Sequence, residues 1–190
     1  MDKGKKNILI TGLPGIGKTT LIKQLLYRLK RYEPVGFYTE DIRHKGERKG
    51  FQIITPDGQR SILAHILIDS PYQIGKYKVD VHGFDSFLDS LTLHQYKNNL
   101  IIIDEIGKME CLSIKFVRMI QEILDSENIV IATIAHTDGG IKGKIKARDD
   151  VRLFKINLEN RDTIIDEILE TLRSFPQLSQ LGEHDSDYAG

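Results

Sequence analysis

The chain has a single cysteine, Cys111, in 190 residues. A lone thiol excludes an internal disulfide and suits a reducing compartment. Charge of one sign is not in surplus either, because 27 lysines and arginines face 27 aspartates and glutamates. No global field therefore draws the chain to nucleic acid or to a membrane surface. Long hydrophobic runs are also missing: the apolar stretches are strand-sized, well short of the roughly 20 residues that span a bilayer. In the opening residues MDKGKKNILITG the apolar part is too short, and glycine comes too soon, for a signal peptide. What these absences leave is a soluble, cytoplasmic α/β protein. It is expected as a monomer, with neither membrane nor nucleic acid as partner.

Apolar residues are nonetheless plentiful, at 40 %, enough at this length for a sizeable core. Their spacing alternates between two periods. Asn7–Thr11 reads as a short buried strand, and Lys18–Arg31 as a helix with Leu21, Ile22, Leu25, Leu26 and Leu29 on one face. Val35–Ile42 reads as a second strand. From Arg43 to about residue 82, HKGE, TPDG and SPYQIGKY punctuate short β-rich runs, which are hairpin signals. A helix returns at Phe84–Leu91, and the fully apolar Leu100–Asp104 fits a strand buried inside a parallel sheet. Helix, strand, a basic segment (Lys142–Arg148), strand (Val151–Leu158) and helix follow. The pattern predicts a doubly wound, largely parallel sheet with a hairpin-rich insertion at about 43–82. Residues 1–175 are expected to form one domain and 176–190 a flexible polar tail.

Gly12-Leu-Pro-Gly-Ile-Gly-Lys-Thr19 matches G-x-x-x-x-G-K-[ST] at every position, with a strand before it and a helix after it. Glycines 12, 15 and 17 allow the backbone N–H groups to turn inward onto an anion, and the helix start adds its positive end. Lys18 is expected to reach β- and γ-phosphates, and the Thr19 hydroxyl to ligate Mg²⁺. The alternative is a glycine-rich turn carrying a surface lysine.

The second loaded stretch is IIIDEIGKME, Ile101 to Glu110, where an apolar strand stops at two adjacent carboxylates. Asp104 supplies the acid that a Mg²⁺–nucleotide site needs opposite Thr19. Glu105 is then free to orient a water molecule and accept its proton, which favours hydrolysis over phosphoryl transfer. Its alternative is an ion pair with a nearby lysine such as Lys108. Lys108 itself either stabilises charge on the γ-phosphate or pairs with Glu110.

Smaller signals carry two readings each. Lys142, Lys144, Lys146 and Arg148 form either a lid over the phosphates, Arg148 foremost, or a solvated face. Asn160 and Arg161 either hold the base, or Asn160 caps a helix with Asp162 in its first turn. Glu40 helps position water or metal, or is a surface acid; His136 approaches the γ-phosphate, or is a satisfied strand-end residue. The basic hairpin Arg43–Lys49 lacks interleaved aromatics and reads as a solvated tip rather than an RNA contact.

Taken together, GLPGIGKTT, GFYTEDIR, KGFQII, GKYKVDV, IIIDEIGKME and RDDVRLFKINLENRD resemble the small P-loop nucleoside-triphosphatases of the thermophilic and cancer-related type, over roughly residues 6 to 173. The resemblance implies a three-layer P-loop NTPase fold that hydrolyses ATP, GTP, CTP and UTP to diphosphate and phosphate with Mg²⁺ as cofactor. It also implies modest base selectivity and slow turnover. By motif match it assigns nucleotide binding to Gly12, Leu13, Pro14, Gly15, Ile16, Gly17, Lys18, Thr19 and Thr20. The second segment it assigns is Leu100, Ile101, Ile102, Ile103, Asp104, Glu105, Ile106 and Gly107. Catalysis falls to Lys18, Asp104 and Glu105, and metal binding to Thr19 and Asp104. The rival readings are a kinase, which needs an acceptor pocket from the insertion, and a nucleotide-dependent binding module.

Overall fold

The structure is a computed structural model that describes residues 5–97 and 99–178. Among the described residues five helices and nine strands follow in the order β1 (Asn7–Gly12), α1 (Lys18–Arg28), β2 (Val35–His44), β3 (Glu47–Ile54), β4 (Arg60–His65), β5 (Gln73–Ile74), β6 (Tyr77–Val79) and α2 (Val81–Leu91). They continue with β7 (Leu100–Ile106), α3 (Ile114–Asp125), β8 (Ile129–Ala135), α4 (Gly140–Lys146), β9 (Val151–Lys155) and α5 (Ile164–Arg173). All strands join one sheet in the order β5-β6-β4-β3-β2-β7-β8-β1-β9.

β2 divides that sheet into two kinds of pairing. Its first residues, Val35–Phe37, run parallel to β7, while Tyr38–His44 run antiparallel to β3. Towards β9 every pairing is parallel; towards β5 every pairing is antiparallel. The hairpin-rich insertion thus extends the central sheet edgewise.

Strand alternation sends successive side chains into two cores. Leu9, Ile101, Ile103, Val130 and Ala132 meet α2 and α3 through Phe84, Phe87, Phe116 and Ile120. Ile8, Ile10, Ile102 and Ile131 meet α1 and α5 through Leu21, Leu25, Ile168 and Leu172. Burying each such side chain contributes about 1.5–3 kcal/mol. With both faces covered, β1 is buried at all six positions, as expected for strands read from continuous apolar runs.

Three expectations need correction. The basic segment is helix α4 as far as Lys146, because Ile141 and Ile145 give it an apolar side against the core. Val151–Leu158 is strand only to Lys155, since Asn157 turns the chain back on itself with side-chain hydrogen bonds. The tail does not begin at 176: Pro176–Leu178 form a 3-10 turn, and the 2 %-exposed Leu178 seals the layer of α1 and α5. Residues 179–190 lie outside the described residues.

Candidate active site

The loop Gly12–Gly17 leaves β1 at its carboxyl end. A side chain at position 12 would collide with Ile156, 2.6 Å away, so only glycine lets the loop pass. Gly15 and Gly17 take φ of 78° and 113°, a region that favours glycine. α2 and α3 begin with side-chain caps from Asp80 and Ser113, whereas α1 begins at Gly17 without one. Its first amides are left to face the loop, as an anion would require.

Lys18 is buried, and its Nζ donates to the Gly12 carbonyl at 3.2 Å and lies 3.5 Å from Glu105 Oε2. Thr19 Oγ1 donates to Asp104 Oδ2 at 2.7 Å. Asp104 is 1 % exposed and pairs with no cation among the described residues; three hydroxyls hold it instead. Thr39 Oγ1 donates to the same Oδ2 at 3.1 Å, and Thr133 Oγ1 donates to Oδ1 at 2.5 Å. The two neighbouring acids therefore have different surroundings: Asp104 faces hydroxyls, Glu105 faces Lys18. Burial pushes the Glu105 carboxyl up from its ordinary value, Lys18 opposes that, and Asp104 adds to it.

An open cleft of about 960 Å³ joins these groups. Gly12–Gly15, Gly17–Thr20, Glu105, Lys108, Glu110 and His136 line it, together with Glu40, Arg48, Phe51, Leu63 and Ile74. A second hollow of about 690 Å³, between the end of α1 and the β3–β4 turn, contains no phosphate-loop residue. The first, which holds the phosphate-loop residues, is the candidate site.

The structure separates other sequence candidates. Arg148 is not near the phosphate loop: α4 has carried the chain to the opposite rim, where Arg148 pairs with Asp125 and Asp150 at 2.7 Å each. Lys142, at the start of α4, is the basic residue whose field reaches Glu105. Asn160 neither faces the cleft nor caps α5; its side chain accepts from the Asn157 N–H and donates to the Lys155 carbonyl. Arg161 lies 3.8 Å from Asp162 on the surface. Glu105 pairs with Lys18, not Lys108, and Lys108 makes no ion pair with the buried Glu110. Glu40 lines the cleft but is taken by Lys23. In the basic hairpin Arg43 and Arg48 both hold Asp41, and Lys49 holds Glu47, as a solvated tip would. Cys111 is half-buried against the core, which pushes its thiol up to about 11 and keeps it inert.

Thr133 was missed by motif reading, and Glu110 was read only as a partner for Lys108. The signal for Thr133 was present, because it is the one hydroxyl in the otherwise apolar strand IVIATIA. Pairing of Ile103 with Ala132 then sets Asp104 beside it.

Comparison with known proteins decides the family. A model of the family described as NTPase matches residues 7–169. The chain belongs to this nucleoside-triphosphatase family. It is 48 % identical over 167 residues to the nucleoside-triphosphatase THEP1 of Thermotoga sp. (strain RQ2), covering 87 % of this chain and 95 % of that one. It is 33 % identical to the human cancer-related nucleoside-triphosphatase over 189 residues, 89 % and 97 % of the two chains. The crystal structure of THEP1 from Aquifex aeolicus superposes with a TM-score of 0.79 at 37 % identity, covering 87 % of this chain and 98 % of that one. The fold is accordingly that of a P-loop NTPase, and the protein is an enzyme that hydrolyses nucleoside triphosphates. No helix among the described residues is long and apolar enough to cross a membrane.

Proposed function

We propose that this nucleoside-triphosphatase hydrolyses ATP, GTP, CTP and UTP at the cleft in a Mg²⁺-dependent reaction, with Glu105 as general base. The observation that carries the reading is the split between adjacent acids, Asp104 held to Thr19 and Glu105 to Lys18. Thr19 Oγ1 and the Asp104 carboxylate are hard oxygen donors side by side, and a buried carboxylate without a cation fits a small divalent ion. Thr19 and Asp104 would hold Mg²⁺, which when bound neutralises charge on the β- and γ-phosphate oxygens.

Lys18 and the loop amides bind those phosphates and hold the γ-phosphorus towards Glu105. Glu105 orients a water molecule whose oxygen bonds to that phosphorus while the bond to the β-phosphate bridging oxygen breaks. The water proton passes to Glu105, and the electron pair leaves with the nucleoside diphosphate. None of the base candidates in Glu159–Asp162 lines the cleft, which agrees with hydrolysis of several nucleotides. We read the enzyme as a cytoplasmic monomer with one domain that reaches Leu178.

The test is phosphate release from each nucleotide with Mg²⁺ by wild type and Glu105→Gln. Wild type is expected to hydrolyse all four, and the variant to bind them while losing about 10²–10⁴ in turnover, the usual worth of a positioned base. Equal rates would remove Glu105 from the role.

One observation favours a second reading: the cleft continues past Glu105 to the insertion residues Phe51, Leu63 and Ile74. A small hydroxyl-bearing acceptor in that arm would make the protein a phosphotransferase. Label from the γ-phosphate appearing in an added alcohol faster than in inorganic phosphate would establish it.

A further inference from the structure

Glu110 is an acid that hydrolysis, as described, does not use. It opens the 3-10 turn Glu110–Leu112 just after the β7 loop, and its side chain folds back into the cleft wall. It is only 6 % exposed and pairs with no cation among the described residues. The backbone N–H groups of Gly107 and of Glu110 itself lie against its carboxyl. A side chain at Gly107 would meet Glu110 Oε2 at 2.6 Å and Glu105 Oε1 at 3.2 Å, so both acids crowd the same glycine. That contact places the two carboxyls against one turn, so a Cβ at 107 would have to push Glu110 aside.

A pair of acids placed in unlike environments divides roles between them. Glu105 has Lys18 at 3.5 Å. Glu110 has only amide dipoles, so the charged form of its carboxyl goes without a counter-ion.

We propose that Glu110 is a positioning residue for hydrolysis: buried behind the Gly107 turn that it shares with Glu105, it holds Glu105 towards the attacking water. The inference rests on the reading of Glu105 as the base. The charged groups facing this corner are Asp104 and Glu105 from β7, Lys18 from α1 and Lys142 from α4, with the Cys111 thiol beside them. Burial pushes the Glu110 carboxyl up to about 8. It is therefore neutral at neutral pH. Above that value it ionises and faces Glu105 and Asp104 as a like charge.

The experiment measures kcat and KM for ATP against pH in wild type, Glu110→Gln, Glu110→Ala and, in parallel, Glu105→Gln. Gln keeps the shape and neutrality of the protonated acid, whereas Ala removes the support. Glu110→Ala is expected to lose about 10²-fold in kcat with KM nearly unchanged, the scale of a misplaced reacting group. Glu110→Gln should keep most of the rate at neutral pH. Wild-type kcat should fall as pH rises through about 8, and that fall should be missing in Glu110→Gln. The folding contribution has the same sign: a raised carboxyl pKa favours the fold at low pH, and the benefit is lost as pH climbs to about 8.

Full turnover in a folded Glu110→Ala overturns the proposal, and so does an alkaline fall in Glu110→Gln that matches wild type. If Glu110→Ala does not fold, the Gln pH profile decides alone. Loss of turnover in Glu105→Gln with Glu110→Ala unaffected sinks this inference and leaves the base assignment standing. Full turnover in Glu105→Gln sinks the base assignment itself.

Discussion

The parallel half of the sheet and its antiparallel extension are built from the same backbone geometry but to different standards. β1, β7 and β8 are buried along nearly their whole length, and Asp104, Thr133 and Lys18 are fixed at or near their carboxyl ends. β3 and β4 instead mix buried and exposed positions, and the charges of β3 pair at the surface with one another and with Asp41 of β2. The parallel strands surrender all freedom, so the groups beyond their ends can be placed closely. The extension needs only to present a wall to the cleft. Chemistry at the carboxyl edge of parallel strands follows from that difference in constraint.

The way to break the comparison at the site itself is Thr133. Thr133→Val keeps the volume and removes the hydroxyl from Asp104 Oδ1. Supports of a metal-holding carboxylate are worth about 10–100-fold, so a loss of that size in apparent Mg²⁺ affinity is expected in a magnesium titration of turnover. Stability distinguishes the halves next. Ile131→Ala, in the middle of β8 and 0 % exposed, should cost about 2–5 kcal/mol in urea unfolding. Ile62→Ala in β4, at 44 % exposure, should stay within about 0.5 kcal/mol. Equal losses at the two sites would erase the distinction. The smallest effect belongs to Arg48→Ala, which removes a surface pair with Asp41 and should change stability by about 0–1 kcal/mol in the same urea unfolding.

Contiguous features were legible in the sequence. Gly12–Thr19 declares its role because every element of the phosphate loop is consecutive, and the carboxylates at 104 and 105 follow directly from the apolar run that makes β7. The hairpins of the insertion were equally readable from their turn residues. Features assembled across strands were not. Thr39 and Thr133 reach Asp104 from either side because β2, β7 and β8 are neighbours, and strand order is not written in local pattern. The lid reading of Arg148 fails because a run of basic residues does not say where along a returning helix it ends. α4 starts near the cleft and finishes before β9, so Lys142 and Arg148 serve opposite edges. Glu110 was read only as a partner for Lys108, since burial of an acid in a turn depends on packing from elsewhere.

The central claim is that two consecutive acids do different work, and the most direct test separates binding from turnover. Affinity for a slowly hydrolysed ATP analogue, measured with and without Mg²⁺, should gain from the ion in wild type and in Glu105→Gln. Asp104→Asn should lose that gain, while Glu105→Gln loses only hydrolysis. If instead Glu105→Gln abolishes the gain and Asp104→Asn retains it, the division of roles between the acids is wrong.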